Sequence, residues 1–242
     1  MTEALGITYR ILSLDGSGIR GVFPAAFLAR LEDHLDHPIG RYFDLIAGTS
    51  TGGIIAIGLG LGLPAGDILK LYVDQGPAIF GQDHGPVQNW IRQKLRGMAH
   101  LLVTKHSSEP LRRALEDVLG RRKLGESQTR LVIPAWHPVL ERVYIYKTAH
   151  HPRLESDYKQ PAIDAAMATA AAPTFLKPHM TESAVELVDG GVWANNCVSA
   201  WNKGSDAILV QLVHSAPISL ACSRSILPRP YICRLTSLRR VI

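Results

Sequence analysis

One short stretch limits what this chain can become. Tyr42 to Gly53 reads YFDLIAGTSTGG. The apolar run Leu45-Ile46-Ala47 has the character of a buried strand's end, and Ile54-Ile55-Ala56-Ile57 that of an apolar helix's start. Between them lies Gly48-Thr49-Ser50-Thr51-Gly52, which fits G-x-S-x-G. Strand, tight turn and helix form the setting in which a serine is held on a strained elbow. Gly48 and Gly52 let neighbouring backbone pass close to Ser50, and Gly53 leaves the helix start uncrowded. The helix N-terminus then offers free N–H groups and a positive dipole end to the serine oxygen, or to an oxyanion beside it. A glycine- and serine-rich turn before a core helix would carry the same letters. The stretch therefore takes its meaning from the rest of the chain.

A second strand–loop–helix unit precedes it. Tyr9 to Leu14 reads as a buried strand, Asp15 to Gly21 (DGSGIRG) as a glycine loop, and Val22 to Leu35 as a helix with Pro24 in its first turn. Phe43 to Ala47 is the next strand. Together these make a βαβ unit, which implies a parallel sheet with a right-handed crossover. Gly16-x-Gly18-x-x-Gly21 also matches the dinucleotide fingerprint, with Asp36 at the distance of the ribose-binding acid. Asp36, however, lies in a helix end and turn rather than at a strand end. The other use of such a loop is an oxyanion hole built from backbone N–H groups. That use needs a nucleophile next door, and Ser50 ends the adjacent strand.

Further on, Leu63 to Val73 predicts a helix, Gly76 to Gln88 a loop, and Trp90 to Leu102 a basic amphipathic segment, read as a surface helix or as a lid touching a membrane. Glu109 to Leu119 predicts a helix stopped by Gly120. Arg130 to Trp136 and Arg142 to Thr148 predict strands, and Pro161 to Ala172 an alanine-rich helix. His150-His151 follows the second of these strands without a partner at metal-ligand spacing. Ala184 to Val188 reads as a short strand leading to Asp189-Gly190-Gly191. An aspartate at a strand's carboxyl end lies where α/β sheets place their sites.

Bulk properties narrow the classes. With 242 residues, 46% of them hydrophobic, the chain can bury a sizeable core in one domain. A net charge of +5 and a pI near 9.2 favour anionic surfaces, lipid headgroups included. The basic residues form no long run, so a nucleic-acid polymer is not an expected partner. The N-terminal MTEALGITYRILSLDG lacks a signal-peptide pattern, and the longest apolar stretch is too short to span a bilayer. The expectation is a soluble, cytoplasmic protein, peripheral to a membrane at most. The three cysteines show no metal-like spacing.

Asp15 to Gly21, Gly48 to Gly53 and Asp189 to Gly191 together resemble the three signatures of patatin-like phospholipases, in matching order and spacing. Ala171 to Phe175 is similar to the stretch that precedes the third motif in that family. The resemblance covers residues 8–196. It implies a three-layer α/β/α fold with a mostly parallel central sheet. It also implies a lipid acyl hydrolase working at a membrane surface through a Ser–Asp dyad and an acyl-serine intermediate, with neither metal nor cofactor. Carried over by position, Ser50 is the nucleophile and Asp189 its base. Backbone N–H groups of Gly16, Ser17 and Gly18 form the oxyanion hole. Asp15, Arg20, Gly21, Gly48, Gly52, Gly190 and Gly191 support the motifs. Arg20 would pair with a carboxylate or attract a lipid phosphate. Some bacterial members are membrane-degrading effectors switched on by a cyclic nucleotide, an activator for which this sequence shows no readable switch.

Two departures stand out. Ser17 occupies a position where the family usually has glycine; if φ there is positive, serine costs about 1–2 kcal/mol of strain. Residues 197–242 change character: all the cysteines (Cys197, Cys222, Cys233) lie there, and no acidic residue follows Asp206. Ala207 to Val213 could be a strand, but the remainder shows no steady period. This tail is expected not to be family-like, through truncation or a shifted reading frame. Ser50, Asp189 and His214 also follow the chain order of a Ser–His–Asp triad. An inactive homologue acting by binding, and a nucleotide-binding α/β protein, are the remaining alternatives.

Overall fold

The computed structural model describes residues 9–80, 107–149, 156–173, 175–196 and 207–212. Strand β1 (Tyr9–Leu14) leads through a short 3-10 turn at Gly18–Gly21 into α1 (Val22–Glu32). Strand β2 (Leu45–Gly48) passes through Thr49 and Ser50 into α2 (Thr51–Gly60). Helices α3 (Ala65–Phe80) and α4 (Glu109–Leu119) follow. Next come the hairpin β3 (Arg130–His137) and β4 (Arg142–Lys147), then α5 (Ala162–Ala170). Strands β5 (His179–Met180) and β6 (Glu186–Asp189), the four-residue helix α6 (Gly191–Ala194) and strand β7 (Ala207–Leu212) complete the described elements.

The strands form one seven-stranded sheet in the order β5-β6-β3-β2-β1-β7, with β4 also on β3. The run β7-β1-β2-β3 is parallel, as the βαβ reading requires. Strands β4 and β6 add to β3 antiparallel, and β5 adds antiparallel to β6. Strand β7 takes the edge beside β1.

One feature of the register positions the site. Strand β4 runs along one edge of β3 from Val132 to His137. The other edge must therefore hold both β2, opposite Arg130–Val132, and β6, opposite Ala135 and Trp136. Because β2 is parallel and β6 antiparallel to β3, their carboxyl ends point toward each other along it. The turn after Gly48 and the last residue of β6, Asp189, face across that gap.

Alternation along the strands divides the core. Leu12, Leu14, Ile46, Leu131 and Ile133 face a large cluster built with α2, α3, α4 and α5. Ile11, Leu45 and Ala47 form a smaller cluster on the opposite face. Helix α2 is buried along its whole length, which its TGGIIAIGLG sequence permits because it is apolar on every side. It packs against the small residues of α5, where a Cβ at Gly53 would come within 2.7 Å of Thr169 Cγ2.

Helix α3 differs from the expectation. It runs on to Phe80 through Gly76 and Pro77, where the sequence predicted a loop. Local propensity lost to packing here. Ile79 and Tyr72 are both buried in the main cluster, and that burial outweighs the cost of an interior proline. Trp90 to Leu102, His150-His151, His214 and the three cysteines lie outside the described residues. Among the described residues no helix is long and apolar enough to cross a membrane.

Candidate active site

Ser50 has φ 55° and ψ −127°. A non-glycine residue in this conformation is strained and persists only where its surroundings hold it. The restraints are visible. Ser50 N–H donates to Thr169 Oγ1 at 3.0 Å, and the Thr169 hydroxyl donates to the Pro134 carbonyl at 2.7 Å. Thr49 N–H donates to the Leu14 carbonyl at 3.1 Å, and its hydroxyl to the Ala194 carbonyl at 2.9 Å. The flanking glycines are required sterically. A Cβ at Gly48 would collide with the Gly52 carbonyl, and one at Gly52 with that of Leu14.

Ser50 Oγ donates to Asp189 Oδ2 at 2.6 Å. The other carboxylate oxygen, Oδ1, accepts the Gly191 N–H at 2.6 Å, and Asp189 N–H donates to the Ala171 carbonyl at 3.0 Å. Asp189 is 5% exposed. Burial pushes its carboxyl above the ordinary range, while the bonds from Ser50 and Gly191 partly offset that rise. The aspartate and serine motifs thus meet directly. His179, the imidazole on neighbouring β5, is committed elsewhere, with Nε2 at 2.8 Å from Asp164 Oδ1.

The glycine loop lies beside them. A Cβ on Gly16 would stand 3.0 Å from Ser50 Cβ. The loop N–H groups differ in state. Gly16 donates to the Asn195 carbonyl at 3.3 Å and Ser17 to Thr51 Oγ1 at 3.1 Å. The Gly18 N–H has no protein acceptor among the described residues. The positive φ of the loop falls on Gly18, at 57°, while Ser17 has φ −149°. Serine at position 17 therefore carries none of the strain that a left-handed conformation would impose. Its hydroxyl is buried, with no hydrogen-bond partner among the described residues. Arg20 is exposed on the cavity wall.

A cavity of about 490 Å³ opens at Ser50. Gly16 to Arg20 and Asn195 line its polar side; Ile54, Ile79, Leu111, Phe175 and Leu176 line the apolar side. A hydroxyl bonded to a buried carboxylate, a donor loop and an apolar slot can bind an ester of a long apolar acid and attack its carbonyl.

The sequence reading missed several supporting residues. Thr169 is the polar member of an alanine-rich helix, and that contrast was its only signal. Asn195 closes the glycine loop by donating from Nδ2 to the Gly16 carbonyl at 3.0 Å, across 179 residues. Thr51 was seen only as a motif letter.

Comparison with known proteins shows the family. A family model described as patatin-like phospholipase matches residues 12–200. A "cGAMP-activated phospholipase" of Pseudomonas aeruginosa is 37% identical over 188 residues, 78% of this chain and 54% of that protein. One of the same name from Escherichia coli is 37% identical over 197 residues, 77% of this chain and 53% of that one. "Patatin-like protein 2" of Arabidopsis thaliana is 37% identical over 210 residues, 77% of this chain and 50% of that one. The chain thus spans about half the length of these relatives. Among solved structures, VipD from Legionella pneumophila superposes with a TM-score of 0.47 at 13% identity, covering 85% of this chain and 50% of that one.

Proposed function

The chain belongs to the patatin-like phospholipase family, and we propose that it hydrolyses carboxylic esters of membrane lipids through a Ser50–Asp189 dyad. The observation that carries this reading is the 2.6 Å bond from Ser50 Oγ to Asp189 Oδ2. So short a contact leaves no space for an imidazole between the two groups, which favours the dyad over a Ser–His–Asp triad.

In this mechanism Asp189 takes the Ser50 proton as Oγ attacks the ester carbonyl. A carboxylate is a weak base, and burial strengthens it by raising its pKa. The tetrahedral oxyanion accepts the Gly18 N–H, the donor already without a partner, and feels the positive end of α2. Gly16 and Ser17 join as donors once they release Asn195 and Thr51. Collapse expels the lipid alcohol, which takes the proton from Asp189. Water, deprotonated by Asp189, then attacks the acyl-Ser50 ester and frees the fatty acid. The apolar cavity wall holds the acyl chain.

The reading extends to setting. The enzyme works at a membrane surface from the aqueous side. Residues 8–196 form the catalytic unit, and the tail lends β7 to the sheet's edge. The bacterial relatives are cGAMP-activated phospholipases by name, and a cyclic-nucleotide activator is part of the proposal. A fluorophosphonate probe tests the core of it: the wild type is labelled and Ser50→Ala is not. Hydrolysis of a lipid panel, with and without cGAMP, tests substrate and activator. Labelling that survives Ser50→Ala would overturn the assignment.

A further inference from the structure

The three glycine-bearing motifs converge on two consecutive residues, Ala194, the last of α6, and Asn195, the next. The Thr49 hydroxyl, beside Ser50, donates to the Ala194 carbonyl at 2.9 Å. Gly16 is bonded to Asn195 through both of its main-chain groups. Its N–H donates to the Asn195 carbonyl at 3.3 Å, and its carbonyl accepts Asn195 Nδ2 at 3.0 Å. Gly191 flanks the same side chain: a Cβ there would lie 3.3 Å from Asn195 Oδ1 and 3.0 Å from Asp189 Oδ1. A Cβ on Gly16 would collide with Asn195 Oδ1. The Asn195 carboxamide thus lies between the glycine loop and the turn that carries Asp189, and glycine on both sides leaves room for it.

That turn is closed. The Gly190 carbonyl accepts the Trp193 N–H at 3.0 Å and the Ala194 N–H at 2.9 Å. One helical turn therefore sets Asp189 at its start and Asn195 at its end. Asn195 is itself exposed, so water competes for its carboxamide and the bond adds little to global stability. Its two links to Gly16 also differ in kind. The main-chain bond, at 3.3 Å, is longer than usual and occupies the N–H that an oxyanion would take. The side-chain bond holds the carbonyl, which the chemistry leaves alone.

We propose that Asn195 is a positioning residue for the oxyanion loop: its carboxamide holds the Gly16 carbonyl while the Gly16 N–H passes from the Asn195 carbonyl to the substrate oxyanion. The inference rests on the hydrolase reading for the reaction, but not for the tether, which is a contact of the resting protein. Without the carboxamide the loop loses its registration to the dyad. A hydrogen bond gained only as the oxyanion forms is read in kcat and not in KM.

The test uses a monomeric short-chain ester, so that access to a membrane plays no part. Asn195→Ala removes the carboxamide, and Asn195→Leu keeps its shape without the donor and without adding charge. In both, kcat falls by about 10–100-fold, somewhat less than the loss of an oxyanion donor itself, while KM stays within about threefold. Inhibition by an alkyl trifluoromethyl ketone, whose serine adduct carries an oxyanion, weakens by the same factor as kcat/KM. Thermal melts stay near the wild type. Amide hydrogen exchange gives a readout independent of turnover: peptides covering residues 15–21 exchange faster in both variants, and those covering α2 do not. A wild-type kcat in Asn195→Leu would overturn the proposal, since shape alone would then suffice. So would a loss carried by KM, or unchanged exchange in the loop. If the wild type turns over no ester while loop exchange still rises in the variants, the hydrolase reading fails and the tether stands.

Discussion

Ser50 Oγ and Asp189 Oδ2 lie 2.6 Å apart across 139 residues of chain. The contact exists because β2 and β6 share one edge of β3 and end toward each other. Sliding β6 by one residue would turn Asp189 to the other face of the sheet. The end-to-end approach of these two strand ends is thus the structural origin of the Ser50–Asp189 contact.

Replacing Asp189 by Asn keeps the size of the side chain and removes the proposed base. The expected result is a fall in kcat of about 10⁴-fold with folding intact. Ester turnover read beside a thermal melt would show it. A loss under tenfold would mean that another group takes the proton.

The pH dependence follows from burial. Burial holds the Asp189 carboxyl above its ordinary value, and in the proposed mechanism only its ionised form acts as base. The acid limb of kcat/KM should therefore lie above about pH 4, the usual carboxylate position. The stability effect has the opposite sense. Because the folded state holds this proton more tightly than the unfolded chain, stability from this group declines as pH rises through that window. Asp189→Asn flattens that slope in melts taken as a function of pH.

Thr169 spans Ser50 N–H and the Pro134 carbonyl. In Thr169→Val both buried groups lose their partner, and a loss of about 1–3 kcal/mol is expected. Turnover should drop more than KM rises, because the elbow loses its anchor while the cavity remains. Thr169→Ser restores both bonds and should recover activity; a Ser variant as impaired as Val would point to packing alone.

Asp164 and His179 form a buried pair that ties α5 to β5. Burial alone would raise the Asp164 carboxyl. Hydrogen bonds from His179 and the Glu182 N–H, with the charge of Arg112, hold it below the usual range instead. Its contribution is full above the unfolded value near 3.9 and disappears as pH falls through the lowered folded one. Asp164→Ala should cost about 1–3 kcal/mol in a denaturant titration at neutral pH, since it leaves the buried His179 ring and the Glu182 N–H without their acceptor. A change below about 1 kcal/mol would show that the pair contributes little.

Ser17 and Gly18 test the loop. Gly18→Ala should destabilise by about 1–2 kcal/mol from conformation alone, since its added Cβ meets nothing within 4 Å. Ser17→Ala removes a hydroxyl that has no partner among the described residues, and should be neutral or slightly stabilising. Chemical denaturation of both variants compares them directly.

The sequence by itself determined what neighbouring residues can enforce. Glycine at 48 and 52 around Ser50, between two apolar runs, specified the strand–turn–helix and its strained serine. The βαβ spacing specified a parallel sheet, and Asp189-Gly190-Gly191 marked a strand end. These features follow from local backbone sterics and hydrophobic period, which are written in adjacent letters. Only the tertiary structure decided which strand ends meet, that α3 continues past Pro77, and that Thr169 and Asn195 brace the site. It also put the positive φ of the glycine loop on Gly18 and not on Ser17. Those outcomes depend on burial and hydrogen bonding between segments as much as 179 residues apart. Such pairings are set by the free energy of the whole packed core, which no short window of sequence contains.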